Sequence, residues 1–316
     1  VVAGDLDDWP FSQRDGRLPT GVFDARATLR GMQVKFHEDW PATRTMDADI
    51  AFVRDGFEVR GSAGLADVPI KAFTAGIAHY GRAELVIDAD ADADAAALLA
   101  LMRQSPLAKE HGNTLRTLSA GGPASVAFGL RLPMWQEGAL AQVEGTVALK
   151  GARLGETEWN IAFANVRGTG RFDQDGFDAE GLRAVYDRQE GALSLRAGPT
   201  HVRDARNGFE AELEASMTTD DLIARTGERM AWLKPHLRGR SRWTAAITIP
   251  AGAATPTRLT ALQLRSDLVG TALDLPAPMD KPAGTALPTR VDIALPLGRG
   301  EIGVALGQRL AVRVRE

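Results

Sequence analysis

The stretch V-A-L-K-G-A-R-L at Val147–Leu154 resembles A-T-L-R-G-M-Q-V at Ala27–Val34, 120 residues upstream. Outward from it, across Val143 to Phe177, the likeness continues. Trp159 and Asp175-Gly176-Phe177 match Trp40 and Asp55-Gly56-Phe57 at offsets of 119 and 120. A shorter echo pairs S-V-A-F-G-L-R-L-P at Ser125–Pro133 with R-W-T-A-A-I-T-I-P at Arg242–Pro250, each an alternating apolar run ending on proline. Repeated alternating strands predict a tiled β surface, in which each unit buries its apolar face against its neighbour or in line with it.

Composition agrees with many short strands and turns. The 316 residues include 33 glycines and 16 prolines and few long helical patterns. The absence of cysteine excludes disulfides, thiolate zinc sites and cysteine nucleophiles, and fits the bacterial periplasm. A net charge of -4 gives no basic footprint for nucleic acid. There is no run of 18 apolar residues to span a bilayer as a helix. The start V-V-A-G-D-L has neither initiator Met nor signal-peptide pattern, so the chain is expected to be an excised or mature segment.

Read in order, Val1–Phe11 is a short strand, and Gly21–Phe36 a strand broken at Gly31 with Phe23, Ala25, Ala27 and Leu29 on one face. Asp55-Gly56 turns a hairpin between Asp47–Arg54 and Phe57–Gly61. Val68–Ile77 and Ala83–Asp88 follow, the latter with Leu85 and Ile87 together. A helix is predicted over Asp92–Arg103, stopped by Ser105-Pro106. Ser125–Pro133 sends Val126, Phe128, Leu130 and Leu132 one way, and a meander continues to Ala215. A second helix is expected over Asp220–Lys234, with Thr218 capping and Asp221 answering, ended by Pro235. Strands resume from Arg242, interrupted by the proline-rich Leu275–Gly284. This predicts repeated units at 1–108 and 109–235, each a meander ending in a helix, and the start of a third unit at 236–316.

Motifs for chemistry are missing. The run Asp88-Ala-Asp90-Ala-Asp92-Ala-Asp94 resembles the start of a calcium loop. Ala93 and Leu99, however, hold the positions that need glycine and the closing carboxylate, so the run reads as a solvated turn before a helix. The five histidines lack metal-ligand spacing, and no G-x-S-x-G, G-x-x-x-x-G-K or G-x-G-x-x-G occurs. His37-Glu38-Asp39 reads as a surface turn, and Gly129, Gly145, Gly168 and Gly170 as bends, bulges or sheet curvature.

What remains is the alternation itself. From periodicity alone, the leading reading is an ordinary half-buried sheet lying on a closed core. The alternative is a trough whose apolar lining is left open for a ligand. Lipid is the natural candidate. At about 0.8 kcal/mol per methylene, a chain of about sixteen carbons left wet costs roughly 13 kcal/mol.

The order of G-D-L-D-D-W-P-F at Gly4–Phe11, G-V-F-D-A at Gly21–Ala25, D-W-P at Asp39–Pro41 and S-P-L at Ser105–Leu107 resembles the YhdP branch of AsmA-like proteins. The likeness continues through L-R-L-P at Leu130–Pro133, V-E-G-T-V at Val143–Val147, S-R-W at Ser241–Trp243, I-T-I-P at Ile247–Pro250, S-D-L-V-G at Ser266–Gly270 and L-P-A-P-M-D-K-P at Leu275–Pro282. The resemblance implies a mainly β fold of repeated antiparallel meanders, forming a strongly curved β-groove with one short helix per unit. It implies a segment of a periplasmic bridge carrying phospholipid between inner and outer membranes, supporting the outer-membrane permeability barrier. The expected partners are phospholipid acyl chains, neighbouring repeats of the parent chain, and the inner membrane through an N-terminal anchor absent here. No cofactor, metal or enzymatic activity is implied. On the groove reading, the wall comes from Phe23, Ala25, Ala27, Leu29, Val126, Phe128, Leu130, Leu132, Val147, Leu149, Phe209, Leu213, Trp243, Ile247 and Ile249. Some of these are expected to pack beneath the helices. The rival readings are a closed-core β scaffold with no ligand, and a hydrolase or glycan-binding enzyme with unrecognised sites.

Overall fold

The computed structural model describes residues 1–5, 7, 21–35, 40–53, 55–105, 108, 115–135, 140–157, 161–225, 227–252, 259–295 and 301–315. The chain divides into two compact units, Val1–Gln174 and Asp175–Glu316.

In the first unit, β1 (Val2–Ala3) pairs with β2 (Val22–Met32). An antiparallel meander then runs through β3 (Thr43–Val53), β4 (Gly56–Leu65), β5 (Val68–Ile77) and β6 (Glu84–Asp94). After α1 (Ala95–Arg103), the chain returns through β7 (Leu118–Gly121) and β8 (Pro123–Pro133). β8 pairs with β6 on one side and with β9 (Gln142–Glu156) on the other, and β9 pairs with β10 (Ile161–Asp173). β7 adds to β9 beyond the end of β8. The ladder therefore runs from β6 to β8 across residue 108 with no break in hydrogen bonding, and the compact units do not coincide with residues 108 and 235.

The second unit follows the same plan. Its strands β11 (Phe177–Tyr186), β12 (Gln189–Ala197) and β13 (Asn207–Thr218) lead into α2 (Thr219–Arg225) and a 3-10 segment (Gly227–His236). Then come β14 (Leu237–Pro250), β15 (Thr260–Ser266), β16 (Thr271–Leu273), β17 (Thr289–Leu295), β18 (Glu301–Leu306) and β19 (Leu310–Arg315). The ladder runs β11 to β15, then β17 to β19, while β16 pairs with the start of β14. The fold is mainly β and antiparallel with few helices, as expected of a curved groove.

Bulges interrupt the ladders of β2 to β6 at one level, between Leu29 and Met32, Thr43 and Met46, Gly61 and Ala63, and Ile70 and Ala72. Each extra residue bends its strand and increases its twist, so a row of them curves the sheet. The repeated glycines serve this role. Gly31 and Gly151 both have positive φ, at +63° and +104°, and both lie at a bulge. The Gly31 N–H is satisfied by the Asp47 carboxylate at 2.8 Å. A Cβ at Gly31 meets open space, whereas one at Gly151 falls 3.2 Å from Arg167 Nη2. Gly151→Val is therefore expected to lower stability by about 2 kcal/mol and Gly31→Asn by under about 0.5 kcal/mol, checked by urea unfolding.

Three expectations are corrected. The run Asp88–Asp94 is strand, not turn: β8 pairs with β6 from Glu84 to Asp94, and alternation puts every carboxylate on one face and Ala89, Ala91 and Ala93 on the other. The first helix therefore starts at Ala95 rather than Asp92. Asp94 caps it, accepting from Ala96 N at 2.8 Å and from Gly122 N at 2.9 Å. The second helix is shorter than Asp220–Lys234, giving way to 3-10 geometry from Gly227. Its cap is as expected, with Thr218 Oγ1 accepting from Asp221 N at 3.2 Å and donating to the Asp221 carboxylate at 2.6 Å. Trp159, His37, His111 and most of Gly4–Phe11 lie outside the described residues.

Candidate functional site

Register shows which side chains share a face, because residues paired across a ladder point the same way. In the first unit one rung runs Ala27–Ile50–Val59–Ala75–Ile87–Leu130–Val143. The next runs Leu29–Ala48–Gly61–Phe73–Ala89–Phe128–Gly145–Phe172. Rungs above and below contain Ala25–Phe52–Phe57–Ile77–Leu85–Leu132 and Ala91–Val126–Val147–Gly170. The opposite face carries Asp24, Arg26, Asp49, Arg60, Asp88, Asp90, Arg131, Glu144 and Arg171. One face is thus apolar from β2 to β10 and the other charged.

The second unit repeats this. Leu195–Ala211–Ile247–Leu262–Ile293–Ile302–Val314 is one rung, and Leu182–Leu193–Leu213–Ala245–Leu264–Val291–Val304–Val312 the next. Phe209 lies opposite Ile249, and Ala215 opposite Trp243.

All fifteen residues named from the sequence therefore lie on these faces. Those from Phe23 to Leu149 share the first unit's face, and those from Phe209 to Ile249 the second's. Sequence reasoning missed the contributions of β3, β4, β5, β15 and β17 to β19, including Phe52, Phe57, Phe73, Leu262, Ile293 and Ile302. Their alternation was the available signal.

The apolar faces are not sealed. In the first unit Phe23, Ile50, Val59, Phe73, Ile87, Phe128, Leu130 and Val147 are only partly buried, and in the second Val312 and Val314 are exposed. Cover is local. In the first unit α1 brings Ala95 and Leu98 onto Ala124, Ala152, Val147 and Leu149. In the second, Leu268, Leu273 and Leu287 pack over Trp243 and Leu306. Val147, Leu149 and Trp243 thus lie beneath covering segments, Leu213 is buried, and the others named are partly buried or exposed.

Glycine also shapes the face. A Cβ on Gly145 would fall 2.3 Å from Phe172 Cζ, so the Phe172 ring lies across the notch that Gly145 leaves in β9. Gly145 was expected to mark a bend or bulge; it serves instead as a seat for an aromatic ring.

The charged face holds a depression of about 300 Å³ bordered by Lys71, Asp90, Asp92, Ser125 and Thr146. Asp92 takes a charged hydrogen bond from Lys71 and another from the Ser125 hydroxyl, with Lys150 Nζ at 3.4 Å. These partners hold its carboxyl well below the usual range. Lys71 and Lys150 thus share the single Asp92 carboxylate. Among the described residues no group of His, Asp and Glu could hold a metal ion, and no helix is long and apolar enough to cross a membrane.

Comparison with known proteins adds to this geometry. The family model described as YhdP protein matches residues 1–316. Over 300 residues the chain is 25% identical to the "Intermembrane phospholipid transporter YhdP" of Escherichia coli (strain K12). That alignment covers 93% of this chain and 22% of the relative, so the chain spans about a fifth of the relative's length. No solved structure matches.

Proposed function

The chain belongs to the YhdP family, and from that premise we propose that it is a non-enzymatic segment of a periplasmic conduit for phospholipid between inner and outer membranes. The observation that carries this reading is an apolar face that is continuous in register yet only partly covered. Acyl chains would slide along the rungs passively, with headgroups in water, because each methylene withdrawn from water contributes about 0.8 kcal/mol and neighbouring positions are nearly equivalent. The lining would comprise the fifteen residues named above together with their rung partners. The units at 1–108, 109–235 and 236–316 would be successive tiles of a longer bridge, anchored in the inner membrane by a segment outside this chain. Its service would be to the outer-membrane permeability barrier.

Native mass spectrometry of the segment, released gently from Gram-negative cells, tests the reading. The expected result is phospholipid bound at substoichiometric to several copies per chain. Lipid-free protein that also fails to take up phospholipid from vesicles would sink it, and would favour the closed scaffold.

A further inference from the structure

The two ends of the strands differ, and the difference orients whatever lies on them. In the first unit, deeply buried side chains gather where β6 meets α1: Leu65, Val68, Leu99, Ala124, Ala152 and Val166. At the other strand end Ile77 is buried, and the rest of the face, Phe23, Phe52, Phe57 and Leu85, is partly open. Beyond these stand Tyr80 and Trp135, 43% and 51% exposed. The Phe57 and Tyr80 rings stack with centroids 6.4 Å apart. At the same rim the largely buried Asp55 carboxylate lies 3.2 Å from Nδ1 of the exposed His79.

The second unit has the same asymmetry. Leu182, Leu193, Leu213, Ala215 and Met217 are buried toward α2, while Phe177, Phe209 and Ile249 are only partly covered at the opposite end.

From this asymmetry, and resting on the conduit reading above, we infer that phospholipid binds with one polarity. Acyl-chain ends point toward α1, and headgroups sit at the Tyr80–Trp135 rim. The dimensions agree. From Leu85 to Ala93 the stripe runs about 26 Å at ~3.3 Å per residue. A helix about 10 Å across covers its closed end, leaving about 16 Å of open face. Half of a bilayer's ~30 Å hydrocarbon core, the depth reached by one leaflet's chains, is about 15 Å. Tyr and Trp also favour the level where chains give way to headgroups, since their rings present an apolar body and a polar edge. Rim and open face together thus match one leaflet in depth and in the order of its layers.

The lack of cysteine makes the test direct. Single cysteines replacing Phe52, Leu85, Ile87 and Ala91 are labelled with a fluorophore. The 316-residue chain is then loaded from phosphatidylcholine vesicles carrying a nitroxide either on the headgroup or near the chain terminus. The headgroup nitroxide is expected to quench the Phe52→Cys and Leu85→Cys labels at least threefold more than Ala91→Cys. The chain-terminal nitroxide should reverse that order, with Ile87→Cys between. Equal or inverted quenching while lipid is bound overturns the polarity alone. No quenching at any position overturns the groove as well. Leu85→Cys duplicates the rim position in case Phe52→Cys does not fold.

Discussion

Phe128→Asp is expected to empty the apolar face of phospholipid, lowering affinity by about a hundredfold, while the chain remains folded. Phe128 is partly buried at the middle of β8, opposite Ala89 on one side and, on the other, Gly145, over which the Phe172 ring lies. A carboxylate facing hydrocarbon costs about 2.5–3.5 kcal/mol, and each ~1.4 kcal/mol is a factor of ten. Without lipid the same carboxylate meets water, so folding loses only the side chain's partial burial, roughly 1–2 kcal/mol. Phospholipid transfer between donor and acceptor vesicles measures the first effect, and melting followed by circular dichroism the second. Arg131→Glu, exposed on the charged face of the same strand, is the control and should leave transfer within about twofold. A Phe128→Asp chain that cannot fold, in place of one that folds without lipid, would mean that this face is the interior of a closed core.

The second large effect concerns stability. Lys281 lies in the covering segment of the second unit and is only 2% exposed. Its ammonium donates to the carbonyls of Leu268, Thr271 and Pro282 at 2.8, 2.5 and 3.0 Å. It thereby ties together the loop that seats Leu268, Leu273 and Leu287. Burial pushes its pKa below the ordinary lysine value, with Asp267 acting in the opposite sense. Lys281→Met keeps most of the volume but leaves three inward carbonyls without their donor. The expected loss is about 3–5 kcal/mol. At roughly 2–4 °C per kcal/mol this lowers the melting point by on the order of 10 °C. An unchanged melting point would show that the segment does not need this cation to stay closed over Trp243.

Much of the candidate site was legible in the sequence because its signal has period two. Val126, Phe128, Leu130 and Leu132 share a face in any strand, whatever its neighbours, and so do Phe23 to Leu29. The same rule was available for Asp88 to Asp94, where each carboxylate alternates with alanine. Those residues read as a turn because aspartate is disfavoured in strands, an aversion that eleven paired positions against β8 overcome. The second helix was over-read because an apolar spacing over Leu222, Thr226, Met230 and Leu233 carries no information about 3-10 geometry. The Gly145–Phe172 notch was invisible, since its two halves meet only through the β9–β10 register.

Local alternation thus determined that this chain would be β and which side chains would stand together, because a pleated backbone leaves a residue only two directions to point. Tertiary structure alone decided that the apolar side stays largely uncovered and that its ends differ. Cover depends on what the chain brings back from a distance: α1 laid over Ala124 and Ala152, and a proline-rich loop held by Lys281 over Trp243. Those contacts join residues tens of positions apart, and no periodicity within a strand encodes them.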